Sequence, residues 1–281
     1  MKSLRADADK SPLYHAAIIW LLAVGFAALP LNKFFLLFTE DGTLALYFSG
    51  ITVRALLSVA AAVLIFSYGF SGLIKSRISA KGVLFCIPAV IIAVNNFPII
   101  GAIKGDVVFY GDALYGALFI LNCLFIGAFE ELTFRGIIFP LIFIKFKGKK
   151  RAAFIAAAAS SAIFAVTHFI NVFAGASIGA TLLQVGYSFL IGGLCALSVL
   201  KTGSVIPAVL IHFIYDLGGL VLLPEYGVAQ GFQWNTATIA ITAALGVIIA
   251  AAEIIYALKS DGNALRVSCK ISGNEENGIT P

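Results

Sequence analysis

Apolar and polar positions alternate along this chain on the scale of a bilayer rather than of a strand. Eight runs dominated by Ala, Ile, Leu, Val, Phe and Gly lie near 13–38, 46–73, 83–103, 113–143, 152–172, 178–200, 204–223 and 236–258. Each is near or above the roughly 20 residues that a helix needs to cross a hydrocarbon core about 30 Å thick. An α-helix satisfies its backbone groups within one segment, so the pattern predicts an all-α membrane protein of about eight spanning helices. Pro88, Pro98, Pro140 and Pro207 fall inside the runs, where neighbouring helices satisfy the freed backbone groups. Gly192 and Gly193 predict a close helix approach. The fourth run, about 31 residues, exceeds one crossing and predicts tilt or an extension into the cytoplasm.

The charges between the runs predict orientation. Lys75, Arg77 and Lys81 lie between runs two and three, Lys145, Lys147, Lys149, Lys150 and Arg151 between four and five, and Lys201 between six and seven; Lys259 follows run eight. The alternate breaks hold Glu40 and Asp41, then Lys104, Asp106 and Asp112, then no charge, then Glu225; Lys33 and Arg54, near the first of them, are exceptions. Cytoplasmic loops are the basic ones, which puts both termini in the cytoplasm. Arg5 and Lys10 precede the first run as in a signal peptide, but that run is longer than a cleaved signal's apolar core, so an uncleaved first helix is expected. His15, at its cytoplasmic edge, reads as interfacial. The chain divides into helices one to three (1–112), a core of helices four to seven (113–223), an eighth helix (224–258) and a polar, disordered cytoplasmic tail (259–281).

Composition agrees. Of 281 residues, 60% are apolar and 12% charged, against about 25% charged in soluble domains; mean hydropathy is +1.01. The net charge of +5 sits in short loops, which excludes a nucleic-acid partner in favour of a lipid bilayer. Cys86, Cys123 and Cys195 lie in apolar runs and Cys269 in the tail, with no spacing of a disulfide framework or zinc knuckle.

Against this background, residues 127–135, Gly-Ala-Phe-Glu-Glu-Leu-Thr-Phe-Arg, stand out. Ionisable groups inside apolar spans cost several kcal/mol and are usually functional. On a helix Glu131 and Arg135 are four apart and can pair, whereas Glu130 lies about 100° round and is left out of that bridge. One glutamate is then structural and the other chemical. Run five carries Phe164-Ala-Val-Thr-His168 and run seven His212-Phe-Ile-Tyr-Asp216, each pair one turn apart on one helix face. By helical rise, Glu130 lies about 22 Å from Lys145, His168 about 25 Å from Arg151 and His212 about 16 Å from Lys201, so the three clusters can share one depth.

A carboxylate and an imidazole can hold a water and take its proton. A second histidine and a neighbouring donor can stabilise the oxyanion formed when that water attacks a carbonyl. Glu130, His168, His212 and Asp216 are also a competent zinc first shell, although no His-Glu-x-x-His is present. No Gly-x-Ser-x-Gly elbow or phosphate-binding loop occurs.

Glu-Glu-x-x-x-Arg, Phe-x-x-x-His and His-x-x-x-Asn/Asp, in this order, resemble the CAAX protease and bacteriocin-processing (CPBP, Abi) family of intramembrane endopeptidases. The match runs from Glu130 to Asp216, within roughly 113–223. The resemblance implies a hydrolase of the bacterial plasma membrane that cuts a membrane-associated protein or peptide. Glu130 and His168 would activate water, and His212 and Asp216 would line the oxyanion side. Glu131, Arg135 and Phe164 would support the site. No cofactor is expected; the alternative is a zinc-dependent version of the same protease. Asp216 stands where the prenyl-protein enzymes carry asparagine, and orientation of His212 is the role expected for it. The rival readings are a transporter or immunity protein that binds a peptide or ion without cleaving it, and a scaffold.

Overall fold

The computed structural model describes residues 2–29, 31–232, 236–263 and 265. The chain begins with α1 (Lys2–Lys10), α2 (Pro12–Ala27), α3 (Asn32–Phe35), α4 (Gly42–Ser67), α5 (Gly72–Lys75), α6 (Ala80–Asn95) and α7 (Ile99–Lys104). After strand β1 (Val107–Phe109) come α8 (Ala113–Thr133), a π-turn (Phe134–Ile138) and α9 (Phe139–Lys145). Then follow α10 (Ala152–Thr167), α11 (Ile170–Phe173), α12 (Ile178–Thr202), α13 (Ile206–Leu220), a short 3-10 turn (Pro224–Tyr226), β2 (Ala229–Gly231) and α14 (Thr236–Lys259). The fold is all-α apart from the three-residue strands, which pair antiparallel with Val107 opposite Gly231 and Phe109 opposite Ala229.

Six helical stretches among the described residues are long and apolar enough to cross a membrane: Pro12–Phe35, Gly42–Ser67, Ala113–Lys145, Ala152–Phe173, Ile178–Thr202 and Thr236–Lys259. Runs three and seven are shorter as helices, Ala80–Asn95 and Ile206–Leu220. Run three breaks at Asn96–Pro98, because Pro98 disfavours helical geometry in the residue before it. The broken turn docks on α13: the Asn96 amide donates to the Tyr215 carbonyl at 2.8 Å. A Cβ on Gly218 would lie 2.6 Å from the Phe97 backbone nitrogen, so only glycine admits this contact.

Helix α8 packs between α4 and α13, and α12 packs on α10, α13 and α6. A Cβ on Gly127 would lie 3.0 Å from the Phe213 backbone nitrogen, so the glycine sets how closely α8 and α13 approach. The extra length of run four does not project freely. Phe139, Leu141 and Phe143 of α9 are fully buried, against α2 and α10 among others. Asp41 caps α4, accepting from the Thr43 and Leu44 N–H groups and from the Tyr115 hydroxyl, which holds its carboxyl below the ordinary value. Arg54 is not a loop charge. It lies well inside α4, half-buried, with Nη1 2.9 Å from where a Gly50 Cβ would sit and Asn122 Oδ1 2.7 Å from the same point. Cys86, Cys123 and Cys195 are buried free thiols. Cys269 and residues 266–281 of the expected tail lie outside the described residues.

Candidate active site

The adjacent glutamates end α8, and the helix widens just after them. The Phe139 N–H donates to the Phe134 carbonyl, five residues back. Single π-turns of this kind are frequent at functional sites, because the extra residue re-aims side chains. Arg135 sits in this turn, fully buried, and its Nη1 donates to Glu131 Oε1 at 3.0 Å. The guanidinium lies over the Phe164 ring, 4.6 Å from its centroid, and over Phe134 at 5.8 Å. A desolvated cation over an aromatic face gains about 2 kcal/mol.

His212 enters from α13. Its Nδ1 is 2.8 Å from Glu131 Oε1. An ionised carboxylate only accepts, so Nδ1 carries the proton and donates it to that oxygen. The other ring nitrogen, Nε2, stands 3.6 Å from Glu130 Oε2 and 3.6 Å from Asp216 Oδ1. Glu131, not Asp216, therefore orients the ring. The i,i+4 spacing on α13 brings Asp216 to the Nε2 edge, while Nδ1 points across the helix interface to α8. Glu130 is likewise not isolated; outside the Arg135 bridge, it faces His212.

Burial separates the two glutamates. The Glu131 side chain is 1% exposed and the Glu130 side chain 23%. The 100° step between neighbours turns one carboxylate into the protein and leaves the other at an accessible edge. At 3.6 Å from Nε2 it is too far for a direct hydrogen bond and close enough to pair with the ring when that ring is protonated.

His168 caps the end of α10. Its Nδ1 lies 3.1 Å from the Phe164 carbonyl; a carbonyl only accepts, so Nδ1 bears the proton and Nε2 keeps its lone pair. The Phe164 ring meets both imidazoles edge-on, with centroids 5.1 Å from His168 and 5.7 Å from His212. Trp20 Nε1 donates to Thr167 Oγ1 at 2.8 Å and ties this end of α10 to α2. The three sequence clusters are thus joined through Phe164 and His212. His15 is elsewhere, with Nδ1 3.0 Å from the Tyr68 hydroxyl.

Sequence reasoning missed two charged residues near this centre. Arg54 acts electrostatically on Asp216, and Glu253 of α14 interacts electrostatically with Arg135. The signal for both was present, a lone ionisable residue within an apolar run. Among the described residues no group of three His, Cys, Asp or Glu side chains is gathered as a metal site.

Removing one partner of a buried ion pair leaves the other charge uncompensated, at a cost of about 3–5 kcal/mol. Glu131→Gln should therefore lower the melting temperature in detergent markedly, because Arg135 and His212 both lose their anion. Glu130→Gln, at the accessible edge, should melt within a few degrees of wild type. Equal destabilisation by the two would contradict the division seen here.

No curated protein and no solved structure matches the chain. Residues 113–218 match the model of a family described as Rce1-like, type II CAAX prenyl endopeptidase Rce1-like. The match starts with α8 and ends within α13, so it spans Glu130, Glu131, Arg135, Phe164, His168, His212 and Asp216. This segment, which carries the whole constellation, is thus similar to the Rce1-like CAAX endopeptidases.

Proposed function

We propose that this protein is an intramembrane endopeptidase that hydrolyses a peptide bond in a membrane-associated protein or peptide. The observation that carries the reading is the His212 ring, fixed by Glu131 at Nδ1 and open toward Glu130 at Nε2. Glu130 takes a proton from water bound at its accessible edge, and His168, with its Nε2 lone pair free, shares the role. The hydroxide adds to the scissile carbonyl, and its oxygen becomes an oxyanion. In its doubly protonated form His212 offers Nε2–H to that oxyanion. Collapse of the intermediate breaks the C–N bond, and the proton held by Glu130 passes to the leaving amine. Asp216 flanks the Nε2 edge of the ring.

The membrane arrangement that goes with this reading has eight crossings. The six long helices are joined by α6 and α13, whose shorter length local bilayer thinning accommodates. The clusters Lys75–Lys81 and Lys145–Arg151 support cytoplasmic termini. The setting is a bacterial plasma membrane, and the substrate is embedded in it or anchored to it.

Water activation without a metal is part of the proposal. In the zinc-dependent alternative Glu130, His168, His212 and Asp216 would hold the ion, and His212 would have only Nε2 to offer because Nδ1 is engaged by Glu131. Purified, active protein should hold much less than one zinc per chain and keep its activity after chelation. Near-stoichiometric zinc, with activity restored only by metal, would replace this reading with the alternative.

Membrane proteomes with mapped N-termini, compared between wild type and Glu130→Gln, test the function itself. New N-termini in membrane-associated proteins should appear with wild type alone, because loss of a general base lowers the rate by about 10²–10⁴-fold. Identical fragment sets from the two strains would contradict the assignment.

A further inference from the structure

Consecutive glycines on α12 face two charged side chains from other elements. A Cβ on Gly192 would lie 2.6 Å from Arg135 Nη2 and 3.4 Å from Ser161 Cβ. A Cβ on Gly193 would strike the Glu253 carboxylate, 3.0 Å from its carboxyl carbon. The pair reads in sequence as a site of helix packing, but what it admits is a guanidinium on one side and a carboxylate on the next. Arg135 comes from the π-turn, Ser161 from α10 and Glu253 from α14, so three elements bring polar groups to one point on α12.

Each of these groups has hydrogen-bonding capacity left over. Arg135 Nε and Nη2, the Ser160 and Ser161 hydroxyls and Glu253 Oε1 are buried atoms without a hydrogen-bond partner among the described residues. Buried polar atoms are almost always satisfied, by protein or by ordered water. A cavity of about 60 Å³ is lined by Ser161, Gly193, Glu253, Phe154 and Ala157. One buried water needs about 10–15 Å³ of such space and two to four polar partners, so the cavity has room for water beside Ser161 and Glu253. Arg135 and Glu253 also attract one another electrostatically across this region.

We propose that Glu253 is a positioning residue for the site. It holds the far edge of the Arg135 guanidinium by charge attraction, where Gly192 and Gly193 admit the two side chains, and so fixes the Glu131 carboxylate that orients His212. Glu253 lies in α14, outside the Rce1-like segment, so the last helix is a working part of the centre. The assignment rests on reading Glu130 and His212 as the reacting face.

The test uses full-length wild type, Glu253→Gln, Glu253→Asp and Gly193→Ala. Cleavage of a library of membrane-anchored fluorogenic peptides is measured beside the side-chain NMR spectrum of ¹⁵N-histidine-labelled protein. The chain has 3 histidines, so the Nδ1–H of His212 is assignable. It reports the Glu131 contact without requiring turnover. Glu253→Gln preserves shape and removes charge; Gly193→Ala preserves charge and displaces the carboxylate. Both should move the His212 resonance and lower kcat by about tenfold, with KM held within about twofold. Glu253→Asp should recover most of both. A His212 resonance unmoved in Glu253→Gln, with only the melting temperature lowered, overturns the proposal, since Glu253 would then merely anchor α14. Glu253→Gln decides alone if Gly193→Ala fails to fold. Should the resonance move while wild type cleaves no peptide, the positioning role stands and the protease reading falls.

Discussion

A single oxygen, Glu131 Oε1, accepts from both Arg135 Nη1 at 3.0 Å and His212 Nδ1 at 2.8 Å. All three side chains are buried. Charges removed from water carry a desolvation penalty of several kcal/mol each, repaid only when partners and geometry are complete. Several neighbouring features shape this contact. Helical i,i+4 spacing sets Arg135 beside Glu131, and Gly192 leaves room for its Nη2. Phe164 covers the guanidinium face, and the close α8–α13 approach at Gly127 brings His212 within reach.

Once Glu131 is committed to this interior role, the neighbouring position is free for another. Glu130 shares the peptide backbone of a structural residue but points about 100° away, toward the accessible edge. Its distance of 3.6 Å to Nε2 is longer than a hydrogen bond, so the carboxylate is not locked to the ring as Glu131 is at 2.8 Å. Rigidity on one side of the imidazole and a gap on the other are what hydrolysis requires: an oriented donor and room for a nucleophile. A site in which both glutamates were engaged by Arg135 would be stable and chemically idle.

The i,i+4 pairs were legible in sequence because helical periodicity fixes them locally. Glu131 with Arg135, Phe164 with His168 and His212 with Asp216 all lie one turn apart as read, and the apolar runs marked the helices that carry them. Relations between helices were not legible. The spacing of His212 and Asp216 suggested that the aspartate orients the ring, yet the Nδ1 acceptor comes from α8, 81 residues away in sequence. Nothing in Phe134–Ile138 announces a π-turn, in which Gly136 lies against Ile65 of α4. In sequence Arg54 is an exception to the charge pattern near the first acidic break, whereas α4 starts at Gly42 and places it three turns in. Glu253 carried a signal only against its apolar surroundings, and its partners lie on other helices.

Oxygen-isotope labelling is the most direct probe of the central claim, that Glu130 delivers water to a peptide bond while Glu131 holds the ring that assists. Purified protein in liposomes is given a membrane-anchored peptide in H₂¹⁸O, and the products are weighed by mass spectrometry. Wild type should place one ¹⁸O in the new carboxyl group, and Glu130→Gln should bind the peptide equally well and form labelled product at least about 10²-fold more slowly. Labelled product formed by Glu130→Gln at the wild-type rate would contradict the account.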